Sequence, residues 1–344
     1  MVPVETDPEI GVVICHHTGR LVNDAIQSVL CSKGYFQPKV VVVTSDKTYL
    51  KDCPYEDKVT LVYEEGGPAH KRNVGTVRFT KSEYVVYLDD DATVGPYSIS
   101  NFYQFMDHHR KCGIAFGKIY KMDRRNVFDD CGSWLTWTGF LWARAQNNQE
   151  DTGQYDKAVL CLSSKSAFCM VRRDSFLKAG MFDATYYILG EETDLSWRIG
   201  LQGKECWYVP SAVAWHAFDT PLKPKQDYYT LERIHFHGSK NYIQMLITNL
   251  GLWRLLCVIP IHLFAWFAAA VSFMVKGDSK RCWLILRGIF WNFTHLPAIL
   301  AKRRKVQQSR VVNDKVLLLG AEYRPPVRYY TDRFRRYVTQ AIHG

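Results

Sequence analysis

Residues 84–91 read YVVYLDDD, an apolar run that passes directly into three consecutive aspartates. The apolar part is typical of a buried parallel strand. Because side chains two positions apart on a strand share a face, we expect Asp89 and Asp91 to act together while Asp90 points elsewhere. Such close like charges repel unless a divalent, oxygen-seeking ion such as Mg²⁺ or Mn²⁺ lies among them. The alternative is a solvated acidic turn.

Through the first ~220 residues, apolar runs typical of strands alternate with stretches whose apolar residues recur at helical spacing. This alternation is typical of an α/β layer protein. Three earlier runs have strand character and one stretch has helix character: residues 10–15 (IGVVIC), 39–43, 59–63 and 21–30. Polar residues follow two of these strands, Cys15-His16 after the first and Ser45-Asp46 after the second. Because ligands collect beyond the carboxyl ends of parallel strands, we expect these groups and the aspartates to converge at one edge.

Two further motifs carry groups suited to phosphate binding and to acid–base chemistry. Residues 65–75 (EGGPAHKRNVG) form a Gly/Pro loop with basic residues opening the next helix, a pattern that favours phosphate. Residues 190–198 (GEETDLSWR) put carboxylates at a helix start, where an acid is either a cap or a general base. A plain surface turn is the alternative for the first motif.

Trp215-His216 ends a strand-like stretch at residues 212–215. His216 is either a satisfied core residue or a third metal ligand beside carboxylates. An aromatic loop is formed by Trp134, Trp137 and Trp142. Three roles are open for this loop: stacking on a sugar, contact with lipid, or packing in the core.

The 344-residue chain has a net charge of +10 and ten cysteines. Eleven Lys/Arg against three Asp/Glu lie from Lys302 onward, which indicates an anionic partner near the tail. No nucleic-acid recognition motif accompanies these charges, so nucleic-acid binding is not expected. The cysteines form no CxxC pair, which favours reduced thiols. Residues 1–8 lack the apolar core of a signal peptide.

Two apolar stretches follow residue 250. Residues 255–275 carry one His and no charge, enough to cross a bilayer core of ~30 Å as a helix; a buried globular helix is the alternative. Residues 282–300 are more polar and either span or lie in the interface as an amphipathic helix. The basic residues 302–305 then place the tail and, with two spans, the N-terminal domain in the cytoplasm. We therefore predict a multi-pass protein of the cell membrane that contacts anionic lipids.

Taken together, these motifs resemble a family-2 inverting glycosyltransferase of GT-A fold. The resemblance covers roughly residues 10–220, and GEETDLSWR is its most specific part. The matching segments are VVIC, Asp46 after VVVTS, GGPAHKRNVG, YLDDDA, SSKSAFCMVRRDSF, GMFDATYYILGEETDLSWRIGLQGK and AWH. The resemblance implies a Rossmann-like mixed α/β sheet with helices on both faces. With its apolar tail, the chain is similar to membrane-embedded members that act on lipid-linked sugars, in a reduced cellulose-synthase architecture.

The resemblance also implies a role for each matching residue. The nucleotide side would be formed by Cys15, His16, Asp46, Arg72, Asn73, Asp89 and Asp90. Asp91 would bind Mn²⁺ or Mg²⁺, with His216 as its second protein ligand. Glu192 stands where the family usually has a catalytic Asp, and Glu191 is the other candidate for the base.

The implied reaction is metal-dependent, inverting transfer of a hexose from a nucleotide sugar, with GDP-mannose favoured. The implied acceptor is a glycan on a polyprenyl or dolichyl pyrophosphate in the membrane, as in N-glycan assembly. The Gln/Arg-rich motif of processive synthases is not evident after His216, so addition of a single sugar is expected. The alternatives are transfer to a polyprenyl (dolichyl) phosphate, a dTDP-rhamnose or UDP-hexose donor, and a non-catalytic membrane scaffold.

The predicted organisation has four parts. They are a GT-A catalytic domain (residues 1–227), an interfacial amphipathic region (228–251), a transmembrane hairpin (252–301) and a basic cytoplasmic tail (302–344). A homodimer is left open.

Overall fold

The computed structural model describes residues 8–19, 21–34, 36–145, 148–217 and 231–340. By its internal contacts the chain divides into two units. The first, here called the sheet unit, comprises Met1–Ser133, Ala143–Tyr187 and Glu191–Pro224. The second, here called the helical unit, comprises Trp134–Trp142, Ile188–Gly190 and Lys225–Gly344.

Four parallel strands form one side of the main sheet, in the order β4-β1-β2-β3. They are β1 (Glu9–His16), β2 (Gln37–Thr44), β3 (Thr60–Tyr63) and β4 (Tyr84–Asp89). Their Val and Ile side chains are almost fully buried, as expected for parallel strands inside an α/β layer. The four strands expected from apolar runs are therefore confirmed, each to within two residues at either end.

The other side of the sheet is mixed. It contains β5 (Ala92–Val94), β6 (Cys112–Lys121), β7 (Phe128–Asp130), β10 (Val159–Leu160), β11 (Phe168–Arg172) and β12 (Glu205–His216), while β8 (Ser133–Leu135) and β9 (Leu141–Ala143) form a separate pair. The central order is β12-β6-β11-β4, with β11 antiparallel to both neighbours and β12 parallel to β6. The predicted mixed α/β sheet is confirmed. The last strand begins at Glu205 rather than at residue 212.

The described α-helices of the sheet unit are α1 (Leu21–Leu30), α2 (Lys47–Asp52), α3 (Pro68–Thr76), α4 (Ser98–His108), α5 (Arg173–Lys178) and α6 (Glu191–Leu201). Helix α3 starts with Pro68 in its first turn, where the missing N–H has no intrahelical partner to lose. A Cβ at Gly75 would lie 2.5 Å from Cγ1 of Val13, so this glycine lets α3 lie close against β1. The basic residues of α3 are thereby held near the end of β1.

The described part of the helical unit contains a π-helical segment (Glu232–His237) and the α-helices α7 (Gly238–Asn249), α8 (Leu252–Val275), α9 (Ser279–Thr294), α10 (Leu296–Gln308), α11 (Asp314–Leu317) and α12 (Val327–Gln340). Among the described helices, α8 alone is long and apolar enough to cross a membrane by itself, and it contains the predicted span at residues 255–275. The pair α9 and α10 passes the same test only together, and it bends by 67° at the junction. The second predicted span, residues 282–300, runs across that bend.

The aromatic loop is packed against the C-terminal segment of the helical unit. Trp134 Nε1 donates to the carbonyl of Gly320 at 2.7 Å, and Trp142 stacks on Tyr323 with ring centroids 4.0 Å apart. Trp137 is 42% exposed. Packing therefore accounts for Trp134 and Trp142. All ten cysteines are free thiols, as expected from their spacing.

Candidate active site

The parallel strands bring their polar ends together at one edge of the sheet. In the register of β1 with β2, His16 lies opposite Thr44, and in the register of β1 with β4, Cys15 lies opposite Asp89. Lys71 of α3 crosses the same ends, since its Nζ donates to the carbonyl of His16 at 2.7 Å and to Ser45 Oγ at 2.9 Å. The predicted convergence of polar groups at this edge is confirmed.

The acidic triplet separates as expected, although not by strand alternation. Strand β4 ends at Asp89, and the next two aspartates form the turn into β5. Asp90 Oδ2 accepts a hydrogen bond from the backbone N–H of His17 at 3.1 Å. Asp91 is buried, and one of its carboxylate oxygens lies within 4.8 Å of one from Asp89. The turn, rather than a continuing strand, directs Asp89 and Asp91 to one place.

His216 completes a cluster that we call the Asp–Asp–His site, formed by Asp89, Asp91 and His216. Strand β12 pairs antiparallel with β5 and places His216 opposite Ala92, next to the aspartate turn. His216 Nε2 lies 3.2 Å from Asp91 Oδ1 and 3.9 Å from Asp89 Oδ2. One ligand atom from each of the three residues lies within 4.8 Å of the others. The structure thus places Asp89 beside the two residues that the sequence predicts as metal ligands.

The orientation of His216 is set by Asp129 of β7, a residue that the sequence did not single out. His216 Nδ1 lies 2.8 Å from Asp129 Oδ2, and Lys165 Nζ lies 2.5 Å from Asp129 Oδ1. Burial alone would raise the pKa of Asp129, but Lys165 and His216 outweigh it and hold the pKa below its usual range. Burial by itself would lower the pKa of His216. The hydrogen bonds to Asp129 and Asp91 outweigh burial and raise the pKa of His216 to about 9. The FDD sequence of β7 was the available signal for Asp129, but nothing local connects it to His216.

Arg72 joins the Asp–Asp–His site to the start of α6. Its guanidinium is 2% exposed, donates from Nη2 to Asp89 Oδ1 at 2.8 Å and lies 3.1 Å from Glu191 Oε1 through Nη1. The two carboxylates are therefore held on either side of one buried cation. Without these partners the buried guanidinium would be an uncompensated charge in poorly solvated surroundings.

Glu191 and Glu192 differ sharply in environment. Glu191 is 4% exposed and is paired with Arg72, whereas Glu192 is half-buried. Burial, together with the neighbouring Glu191 carboxylate, raises the pKa of Glu192 well above its usual value. Gly190 has φ of +90°, a conformation that glycine adopts easily, and it begins the turn of the chain into α6. Glu192 thus combines partial exposure with a raised pKa, two features that suit a general base.

The remaining predicted residues hold parts of the protein itself. His16 is bonded to Thr44 Oγ1 at 2.8 Å and to the Gly19 carbonyl at 3.0 Å, and burial lowers its pKa. Burial raises the pKa of the Cys15 thiol to about 12. Asp46 caps α2 by accepting from the N–H groups of Thr48 and Tyr49. These three residues do lie at the strand edge, and their contact with a nucleotide stays a prediction.

Asn73 is the predicted residue whose side chain is most fully used by the fold. Its Nδ2 donates to the carbonyl of Phe182 at 2.8 Å, and its Oδ1 accepts from the N–H of the same residue at 3.0 Å. Both ends of the amide thus join α3 to the loop before α6. The structure gives Asn73 a structural contact that sequence spacing did not indicate.

A family model described as "Glycosyltransferase like family 2" matches residues 8–227 of this 344-residue chain. The chain belongs to this family. It is therefore a glycosyltransferase, and the resemblance found in its motifs is confirmed at the level of the family.

Two curated N-acetylglucosaminyl-diphospho-decaprenol L-rhamnosyltransferases from Mycobacterium tuberculosis (strains CDC 1551 / Oshkosh and ATCC 25618 / H37Rv) are 26% identical to this glycosyltransferase in an alignment of 186 residues. The alignment covers 50% of this chain. The chain spans 58% of the length of these relatives.

Two solved structures show the same fold. The crystal structure of GalNAc-T7 with UDP, GalNAc and Mn²⁺ has a TM-score of 0.58 at 15% identity, covering 84% of this chain and 58% of that one. The mannosyltransferase PcManGT from Pyrobaculum calidifontis, in complex with GDP-Man and Mn²⁺, has a TM-score of 0.52 at 15% identity, covering 89% and 86% of the two chains. The glycosyltransferase has the expected GT-A fold.

Proposed function

We propose that this glycosyltransferase moves one hexose from a nucleoside-diphosphate sugar to a hydroxyl of a lipid-linked glycan, using a divalent cation and inverting the anomeric carbon. The observation that carries the proposal is the Asp–Asp–His site, which brings two carboxylates and an imidazole together at the carboxyl edge of the sheet. Arg72 links this site to Glu191, the residue beside the proposed base.

The Asp–Asp–His site fits a divalent cation by the chemistry of its donors. Carboxylate oxygens suit Mg²⁺ and Mn²⁺, and the imidazole favours Mn²⁺ because Mg²⁺ takes oxygen ligands. A ligating histidine usually has its other ring nitrogen bonded to a carboxylate, which is the position of Asp129 here. When bound, the cation would neutralise charge that develops on the departing diphosphate.

Glu192 is the proposed catalytic base. Its raised pKa makes it a stronger proton acceptor than an ordinary carboxylate, and its partial exposure leaves it accessible to an acceptor hydroxyl. Glu191 is the weaker candidate because its carboxylate is held by Arg72. We propose that Arg72 acts by positioning, since it fixes the Asp89 carboxylate on one side and the start of α6 on the other.

The donor and acceptor are narrower proposals. GDP-mannose is proposed from the motif resemblance, and an L-rhamnosyl donor is proposed because the two curated relatives are L-rhamnosyltransferases. The relatives' name also supports a sugar on a polyprenyl diphosphate as the acceptor. Attachment to a membrane, where such an acceptor resides, is supported by the apolar helix α8.

The proposal is tested with the purified full chain in detergent micelles that contain a sugar linked to a polyprenyl diphosphate or, separately, a polyprenyl monophosphate. GDP-mannose, dTDP-L-rhamnose and two UDP-hexoses are supplied in turn with Mn²⁺, and the glycolipid product is measured by mass spectrometry. We expect turnover with one donor, and loss of it after chelation or in Asp91→Ala. Asp174→Ala is the matched control, since Asp174 is exposed and pairs only with Lys178 at 2.8 Å among the contacts of the described chain.

Two outcomes would contradict this function. Full turnover after exhaustive chelation, or in Asp91→Ala, would exclude the role proposed for the Asp–Asp–His site. Product formed on a polyprenyl monophosphate but not on the diphosphate-linked sugar would replace the proposed acceptor by the simpler lipid phosphate.

A further inference from the structure

Beyond Arg254 in its first turn, helix α8 carries no charged residue on any face, yet its two faces have different surroundings. One face packs into a cluster of the helical unit that includes Trp266, Ala270 and Phe273. The opposite strip is exposed from the first turn to the last: Trp253 is 83% exposed, Phe264 73% and Val275 82%. At 24 residues the helix is about 36 Å long. The strip is therefore a continuous exposed apolar surface rather than a few isolated exposed residues.

The C-terminal segment follows α8 from one end to the other. Near the start of α8, Arg254 pairs with Glu322 at 2.9 Å. Farther along, Tyr337 of α12 lies against Trp266 with ring centroids 5.9 Å apart. At the far end, Lys276 Nζ donates to the carbonyl of Val338 at 2.9 Å.

The segment that follows α8 is strongly basic. Residues 323–337 contain five Arg and one Asp. Two of its helical residues, Arg328 and Arg335, are exposed. If α8 crossed a bilayer, this segment would have to cross beside it, with its arginines at the depth of the hydrocarbon. Arginine is among the costliest residues at that depth, and irregular lipid-facing backbone does not occur there.

Helix α9 gives an independent argument of the same kind. Its outward residues Trp283 and Phe290 flank Arg287, which pairs with Glu232 at 3.3 Å and is 47% exposed in its side chain. A spanning α9 would turn this ion pair towards lipid. With 16 residues, α9 is about 24 Å long, shorter than a bilayer core of about 30 Å.

We propose that α8 lies in the plane of the membrane and enters a single leaflet through its exposed strip, so that the protein is monotopic. This inference rests on the proposed membrane attachment and replaces the predicted transmembrane hairpin. It accounts for the all-round apolar composition of α8, because one face contacts the protein core and the other contacts acyl chains. An in-plane helix also leaves the arginines of α12 at the level of the headgroups.

The occupant of the strip is an anionic lipid leaflet. Trp253, Phe264 and Phe267 are of the residue types that interfacial helices bury at the boundary between headgroups and acyl chains. Exposed basic residues occur at the start of α9, at Lys280, and along α10, at Arg304 and Lys305. Basic residues beside an apolar strip add attraction to anionic headgroups.

The test uses the full chain bound to preformed sealed vesicles of phosphatidylcholine and phosphatidylglycerol. Single reporter cysteines are placed near the two ends of α8. Lys315→Cys is next to Asp314, whose Oδ2 accepts from the N–H of Gly251 at 2.8 Å before α8, and Lys280→Cys is at the start of α9. The background carries Cys31→Ser and Cys257→Ala, which removes the exposed thiols. Lys51→Cys, on the exposed side of α2, is the matched control in the sheet unit. A membrane-impermeant maleimide is added outside. Fluorophores at positions 253, 264 and 275, all on the exposed strip, report depth by quenching from brominated lipids.

For an in-plane helix, both end reporters are labelled without permeabilising the vesicles, as Lys51→Cys is, and the three fluorophores report one shallow depth. If Lys280→Cys reacts only after the vesicles are permeabilised and position 264 is the deepest of the three, α8 spans the bilayer. This result would overturn the proposal and leave membrane attachment intact. Failure of the protein to float with vesicles would overturn attachment itself. Sugar transfer in detergent, measured separately, tests the enzymatic function independently of both.

Discussion

Replacing Glu192 by Gln should remove sugar transfer without harming the fold. The substitution keeps the size of the side chain and removes the proton acceptor. General-base help is worth about 10²–10⁴ in rate, and we expect kcat to fall by that factor. This corresponds to about 3–5 kcal/mol of barrier at 1.36 kcal/mol per tenfold.

The same substitution should leave stability unchanged or raise it at neutral pH. The pKa of Glu192 is raised in the folded state by burial and by Glu191, so the folded state binds the proton more tightly than the unfolded state. Stability therefore falls as pH rises from the ordinary value of about 4.3 through the raised pKa. Gln carries no charge, so the variant does not lose this stability as the pH rises.

Glu191→Gln is the matched variant with the opposite expectation. Breaking a buried ion pair costs about 3–5 kcal/mol, and we take the lower end because Arg72 keeps its contact with Asp89. At about 2–4 °C per kcal/mol for a domain of this size, Tm should fall by about 6–12 °C. Loss of the Glu191 charge should also lower the pKa of Glu192, moving the acid limb of kcat/KM to lower pH.

The assay is the pH profile of glycolipid formation for the wild type and both variants, with Tm measured on the same preparations. The wild-type acid limb should lie above the pH typical of an ordinary carboxylate. Near-normal kcat in Glu192→Gln, together with an inactive but fully stable Glu191→Gln, would exchange the two roles and refute the reasoning.

Two further substitutions examine the support of the site. Asp129→Asn should weaken Mn²⁺ binding by about 10–100-fold in calorimetry, because a partner behind a ligating histidine orients it; unchanged affinity would show that Asp129 only packs against His216. Asn73→Ala should lower the free energy of unfolding by about 1–3 kcal/mol in urea melts, since the paired groups of Phe182 lose their partners. A stable Asn73→Ala that instead loses nucleotide affinity would return Asn73 to the ligand-binding role expected from its motif.

Local sequence determined the strands, the acidic turn and the carboxylates at the start of α6. The strand ending at Asp89 was visible because a buried parallel strand is apolar throughout, and each residue of the run carries that signal by itself. The basic residues of α3 and the histidine at the end of β12 were visible for similar reasons, as polar groups placed at the ends of apolar elements.

Only the tertiary structure decided which of these groups meet. His216 lies beside Asp91 because β12 pairs with β5, a register between segments more than a hundred residues apart that no local pattern encodes. Arg72 between Asp89 and Glu191, and Asp129 behind His216, follow from the same sheet and helix packing. The apolar composition of α8 was likewise plain in the sequence, but composition is the same for a core helix, a span and an in-plane helix. The surroundings of each face of α8 depend on contacts between residues that are distant in the chain. These include the contacts of α8 with the basic C-terminal segment.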